Sequence, residues 1–139
     1  IDNLYEMGLS LPDLSPKTIS IIQNQYPSYY ISHNPIDITG SGTSDDYIIG
    51  IQAMLEDPNI DIVMPWFVFV NIPLDEDIIQ KLGALNKKNY KKPIIVGSFG
   101  GDFSDRMACT IESEGIPVYR SVVDWAAAAR VISWRSKNI

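Results

Sequence analysis

The stretch 93-PIIVGSFGGDFSDRMACTIESEGIPVY-119 decides the fold class. Pro93-Ile94-Ile95-Val96 opens a β-branched run to Ser98, the composition of a strand buried on both faces. It breaks at Phe99-Gly100-Gly101-Asp102, and a helix follows from about Ser104 to Glu114. Gly115 supplies the left-handed cap, and Ile116 to Tyr119 is a second strand. Strand, helix, strand in so short a span is a right-handed βαβ unit, which makes the two strands parallel.

The pattern repeats outward. Toward the amino end, Asp75 to Asn86 reads as a helix with Ile78, Ile79, Leu82 and Leu85 inward. Ile60 to Trp66 reads as a buried strand with Pro65 near its end, because proline cannot donate to a ladder. Thr43-Ser44-Asp45-Asp46 is a capping box whose helix carries Tyr47, Ile48, Ile51, Met54 and Leu55 and stops at Glu56-Asp57-Pro58. Tyr29 to Ser32 is a short extended run. Ser15-Pro16 opens a helix that carries Ile19, Ile22 and Tyr26 and ends at Pro27. Toward the carboxyl end, Ser121-Val122-Val123-Asp124 is a second capping box, and its helix carries Trp125, Ala128, Ile132 and Trp134. The expectation is a single α/β domain over residues 1–139, a three-layer sandwich with about four mainly parallel strands between two helical layers. Residues 1–8 read as the end of a helix closed by Gly8, which implies a missing first strand and a chain cut from a longer polypeptide.

Composition narrows the function classes. Apolar residues make up 45% and charged residues 20% of 139 residues, which fits one globular core. A net charge of −6 and a pI near 4.6 argue against a general basic field for nucleic acid. The one basic cluster, Lys87, Lys88, Lys91 and Lys92, reads as a solvated helix end. Cys109 is the only cysteine, so neither an internal disulfide nor a multi-cysteine metal site is available. Its neighbours Met107-Ala108 and Thr110-Ile111 suggest a buried helix face, where cysteine behaves as a small hydrophobe. No run approaches the roughly 18 apolar residues of a membrane span, and no signal peptide opens the chain; the expected setting is a reducing cytoplasm without membrane contact.

Ligands of open α/β sheets meet the carboxyl ends of the strands, where segments 33–43, 66–75 and 97–104 fall. No P-loop and no GxGxxG fingerprint occurs there. Gly40-Ser41-Gly42-Thr43 before a helix offers either an anion nest or a plain turn with its N-cap. His33, the single histidine, is a surface or hydrogen-bonding residue or, less simply, a catalytic one. Asp37 lies in a turn, where a carboxylate accepts backbone amides or acts as acid–base. Trp66-Phe67-Val68-Phe69-Val70-Asn71-Ile72-Pro73-Leu74 is almost wholly apolar, so it either continues the strand in the core or meets another domain. The acidic start Asp75-Glu76-Asp77 complements a helix dipole and repels phosphate.

Asn34-Pro35-Ile36-Asp37-Ile38-Thr39-Gly40, a helix, and then Leu55-Glu56-Asp57-Pro58-Asn59-Ile60-Asp61-Ile62-Val63 resemble the NDP-forming acyl-CoA synthetases, the family of ADP-forming acetate–CoA ligase. Pro93 to Val96 with Gly100-Gly101, Glu114 to Ser121, and Gly8-Leu9 followed by Leu14-Ser15 fit the same pattern over nearly the whole chain. The part resembled is the last flavodoxin-like subdomain, found also at the C-terminus of the succinyl-CoA synthetase β subunit.

The resemblance implies a parent enzyme that interconverts acid, CoA and NTP with acyl-CoA, NDP and phosphate through a phosphohistidine. That histidine, the CoA site and the ATP-grasp nucleotide site belong to neighbouring domains. These domains are the implied partners, with ATP or another NTP, Mg²⁺ and CoA as the parent's cofactors and none in this segment. No catalytic residue and no metal ligand is then expected here. The expected active-site-facing edge is Asn34, Asp37, Thr39, Gly40, Ser41, Thr43, Asn71, Gly100 and Gly101, and the expected partner interface is Trp66, Phe67, Phe69 and Ile72. The succinyl-type Gly-Gly turn ahead of the second-site helix is replaced by residues 69–73, which puts direct phosphate contact by that helix in doubt. The alternatives are a non-catalytic interaction or regulatory module of a ligase-like acyltransferase fusion, and a free-standing flavodoxin-like protein binding a nucleotide or anion at Gly40 to Thr43.

Overall fold

The computed structural model describes residues 2–70 and 73–138. Its helices are α1 (Asp2–Glu6), α2 (Pro16–Gln25), α3 (Ser44–Glu56), α4 (Asp77–Asn86), α5 (Asp102–Ser113) and α6 (Val122–Asn138). The strands β1 (Trp66–Phe67), β2 (Val96–Ser98) and β3 (Val118–Tyr119) form a parallel sheet in the order β1-β2-β3. Trp66 pairs with Gly97, Phe67 with Ser98, and Val96 with Val118. A further parallel bridge, Val63 to Ile94, carries the β1–β2 ladder four residues back from Phe67. Tyr29 to Ser32 does not join the sheet: Ile31 makes an antiparallel bridge with Asp37. The described sheet thus has three strands, one fewer than expected.

Local chemistry explains the element boundaries. Ser15 caps α2 by accepting from the Thr18 amide, with Pro16 at the first helical position. Thr43 and Asp46 close a reciprocal capping box on α3. Gly8 and Gly115 end α1 and α5 at φ of +73° and +81°, which favours glycine.

Pro65 lies inside the ladder and not near its end. The register gives it the position that would donate to the Ile95 carbonyl, and it has no N–H to give. The Trp125 indole N–H donates to that carbonyl instead, at 2.9 Å. One helix residue therefore repairs the ladder and anchors α6 across the sheet. The Trp125 ring also meets the Trp66 ring edge-on at 5.1 Å. Gly97 is required beneath it, because a Cβ there would fall 2.1 Å from the Trp66 ring.

The opposite face of the sheet carries α3, α4 and α5, packed in that order, with α2 outside α3. Phe67, Ile78, Leu82 and Ile111 are almost completely buried there. The two helical layers around a parallel sheet make the flavodoxin-like three-layer sandwich that the sequence implies.

Candidate functional site at the carboxyl edge of the sheet

The turn after the Ile31–Asp37 bridge is built by its own side chains. The Asp37 carboxylate accepts from the Thr39 amide at 2.7 Å, holding Thr39 at a left-handed φ of 58°. Thr39 and Ser41 share a hydroxyl contact of 2.9 Å, and Tyr30 reaches Ser41 at 3.3 Å. At Thr43 the amide and hydroxyl both donate to the Asp46 carboxylate at 2.8 Å. The two hydroxyls and the capping amides are spent within the turn, so Gly40 to Thr43 is a turn with its N-cap.

This turn lies against the exit of β1. Asp37, Gly40, Gly42, Tyr47, Val68 and Leu74 surround a cavity of about 290 Å³. Across it, Ser44 donates to the Asp75 carboxylate at 2.6 Å, tying the start of α3 to the start of α4. Lys81 bridges Asp45 at 2.8 Å and Asp77 at 3.2 Å. Burial pushes the Tyr47 hydroxyl up to about 12, with the Asp37 charge adding to it. Asp37, Asp45, Asp46, Asp75, Glu76 and Asp77 outnumber the one lysine among them, and that lysine is already paired. Such a crest disfavours an anion at the starts of α3 and α4.

The expected edge is therefore only partly assembled here. Asp37, Thr39, Gly40, Ser41 and Thr43 belong to one turn, which meets Val68 and Leu74 around the smaller cavity. Gly100 joins from β2: its φ is +133°, and a Cβ there would approach Val70 at 3.5 Å. Gly101 is open, with nothing within 4 Å of such a Cβ. Asn34 belongs elsewhere, donating to the Pro12 carbonyl at 3.0 Å beside a different cavity. His33 is exposed on the same hairpin. Asn71 and Ile72 lie outside the described residues.

The expected partner interface needs correction. Phe67 is fully buried and Phe69 is 4% exposed, because β1 continues past Pro65 into the core and Phe69 folds back on Phe67 at 5.6 Å. Tyr47 closes over Phe67 edge-on at 4.9 Å. Trp66 is half-buried against Trp125. The apolar residues that do reach solvent at this edge are Val70, Phe99 and Phe103, at 65%, 67% and 39% exposure. Phe99 was legible as a candidate, since the glycine pair after it has no side chains to cover it. Cys109 is a second correction: it is exposed, one step round α5 from the buried stripe of Ser104, Met107, Ala108 and Ile111. The Arg120 guanidinium stands 3.7 Å from its sulfur.

Asp57, at the end of α3, organises a buried polar knot. It accepts from the Ser15 amide at 2.7 Å and the Asn59 amide at 2.8 Å, and Lys92 donates to its carbonyl. Burial alone would raise its carboxyl; the bonds from Thr18, Asn59 and Ser15 outweigh that and hold it below the usual range.

A family model described as Ligase-CoA domain matches residues 1–135. The chain belongs to that family. It is 30% identical over 99% of its length to the alpha subunit of Pyrococcus furiosus acetate–CoA ligase [ADP-forming] II, of which it covers 31%. Acetate–CoA ligase [ADP-forming] I of Archaeoglobus fulgidus is 24% identical over 98% of the chain, which covers 19% of it. Among solved structures, PH0766 from Pyrococcus horikoshii OT3 superposes with a TM-score of 0.90 at 28% identity, over 99% of this chain and 32% of that one. The dinucleotide forming acetyl-coenzyme A synthetase 1 of Ca. Korarchaeum cryptofilum, solved with phosphate and ADP, shares the fold at a TM-score of 0.76 and 23% identity, over 97% of this chain and 31% of that one. The chain spans about a third of the length of the Pyrococcus furiosus subunit and of PH0766, and about a fifth of the Archaeoglobus fulgidus enzyme. No helix among the described residues is long and apolar enough to cross a membrane.

Proposed function

We propose that this chain is the helper subdomain of an NDP-forming acyl-CoA synthetase, packing beside the phosphohistidine domain and carrying no catalytic residue of its own. The observation that carries this reading is the end-to-end match to the acetate–CoA ligase alpha subunit, together with the 0.90 superposition on PH0766. In the parent polypeptide, ATP or another NTP, Mg²⁺ and CoA are held by other domains, and the enzyme works in the cytoplasm. The acidic, self-capped crest supports the division of labour, because it disfavours phosphate binding within this segment. Val70, Phe99 and Phe103 then serve as the partner-facing residues in place of Phe67 and Phe69.

The same crest is the one observation that favours the second reading, a non-catalytic interaction module of a ligase-like acyltransferase fusion. One experiment separates the two. The parent polypeptide is given a panel of short-chain acids with CoA, ATP and Mg²⁺, and acyl-CoA, ADP and phosphate are measured; after incubation with labelled nucleotide, an alkaline digest locates any phosphohistidine. The helper reading expects acid-dependent ADP formation with label outside the His33 peptide. Absence of acyl-CoA formation from every acid sinks it, and label on His33 would make this segment catalytic.

A further inference from the structure

α6 is built inversely to the helices of the opposite layer. Its inner face is small: Ala126 and Ala129 are buried, beside the Trp125 indole that bonds to the Ile95 carbonyl. Its outer face carries large apolar side chains, with Val123, Val131 and Trp134 at 55%, 63% and 64% exposure. α2 and α5 do the reverse and turn Gln23 and Asn24, or Asp105 and Thr110, to solvent. A surface helix ordinarily has one apolar stripe, so a second stripe on the far side points to cover by another surface.

At roughly 3.6 residues per turn, Val123, Ala127, Val131 and Trp134 fall within one stripe about 80° wide. Arg130 lies about 20° beyond one border of it and Arg135 about 40° beyond the other. Both arginines are exposed. Neither makes an ion pair among the described residues, although the chain has 17 acidic residues against 11 basic ones. The one carboxylate of α6, Asp124, sits in its first turn, more than a turn away from Arg130. The stripe is thus an apolar ridge with a cation on each side. Its chemical complement is an apolar groove with a carboxylate on each side.

We propose that the outer face of α6 docks into an acid-rimmed apolar groove on another domain of the same polypeptide. Size and length select that occupant. The Pyrococcus furiosus subunit and PH0766 are each about three times as long as this chain, which gives a linked domain a source. The stripe amounts to on the order of a few hundred Å², well below the roughly 800 Å² that each partner gives to a free-standing interface, so it suits a contact aided by covalent linkage. A second copy fits less well. Antiparallel pairing that sets Val123 against Trp134 of the other copy brings the two Arg130 side chains together at the seam, where like charges repel. The face uses none of Val70, Phe99 and Phe103, so it is a second contact, separate from the carboxyl edge of the sheet. It requires a longer parent polypeptide but not the ligase reaction.

A photo-crosslinker at the exposed Val131 position of the full parent polypeptide tests this, with the products mapped by mass spectrometry. The expected product is an intramolecular crosslink to a peptide outside residues 1–139 that carries Asp or Glu beside apolar residues. Arg130→Glu combined with Arg135→Glu should lower its yield about tenfold, whereas Arg130→Lys with Arg135→Lys should retain most of it. Absence of any crosslink outside the domain overturns the proposal, as does a crosslink to a second copy or a yield indifferent to the charge reversal. Labelling of lipid on adding phosphatidylserine vesicles, in place of the intramolecular product, would make the face a membrane contact and overturn it as well.

Discussion

Residues 66–70 and 99–103 leave neighbouring strands at the same edge of the sheet, and each carries two or more aromatic side chains. Phe67 and Phe69 are buried, whereas Phe99 and Phe103 are exposed. Helix cover accounts for the difference. Past β1 the chain runs beneath α3, where Tyr47 supplies a lid and Phe69 a second ring. Past β2 it turns at once through Gly100 into α5, and Phe99 is left exposed among the described residues. An apolar run is therefore core or contact surface according to which helix follows it, and hydropathy alone does not distinguish the two.

The largest effect should come from the covered segment. Phe67→Ala removes a fully buried ring between Tyr47 and Phe69, and urea unfolding of the domain should register a loss of about 4 kcal/mol. A loss under about 1 kcal/mol would mean that β1's exit is not core, and the contrast with Phe99 would collapse.

Asp57→Asn comes next, at about 2 kcal/mol, because the Ser15 and Asn59 amides lose their charged acceptor in a buried site. Its pH dependence has a definite sign. The folded carboxyl titrates below its unfolded value, so its contribution is present above about pH 4 and is lost as pH falls through the folded pKa. The wild-type domain should therefore lose stability in acid more steeply than Asp57→Asn; parallel curves would show that the knot contributes nothing.

Much of this architecture is legible in the residues. Helix starts at Ser15-Pro16 and Thr43, stops at Gly8 and Gly115, and β-branched runs at 93–96 report backbone preferences that act locally. What is not legible depends on partners distant in sequence. Pro65 could stand inside a ladder only because Trp125, 60 residues on, donates in its place. Phe67 became core because Tyr47 lies above it, and Cys109 reached the surface because α5 rotates its stripe one residue away. At the crest, the spacing of Asp37, Thr39 and Thr43 predicted a turn beside the sheet, while the Ser44–Asp75 bond that joins it to α4 spans 31 residues and left no local signature.

A smaller effect, opposite in sign, is expected at the register pair where the two segments diverge. Ser98 lies across from Phe67, 2% exposed, and its hydroxyl has no partner among the described residues. Ser98→Ala removes an unsatisfied polar atom and should stabilise the domain by about 1 kcal/mol. Destabilisation by a similar amount would reveal a bond to that hydroxyl in the assembled protein.

The smallest effect on the fold should come from the uncovered segment. Phe99 is 67% exposed, beside Val70 and Phe103, so Phe99→Asp deletes no core contact. Domain stability should stay within about 0.5 kcal/mol of wild type, the usual range for surface substitutions. Assembly is where the substitution should act. An aromatic anchor in a domain interface often contributes about 2 kcal/mol or more, and a buried carboxylate in its place adds a desolvation cost. Phe99→Asp in the parent polypeptide should therefore loosen packing against the neighbouring domain, read as faster limited proteolysis between domains and a fall in acyl-CoA formation. Phe67→Ala should do the reverse, unfolding the domain before any interface is tested. If Phe99→Asp leaves both proteolysis and turnover unchanged, the exposed rim is plain surface, and the partner must meet this subdomain away from the carboxyl edge of the sheet.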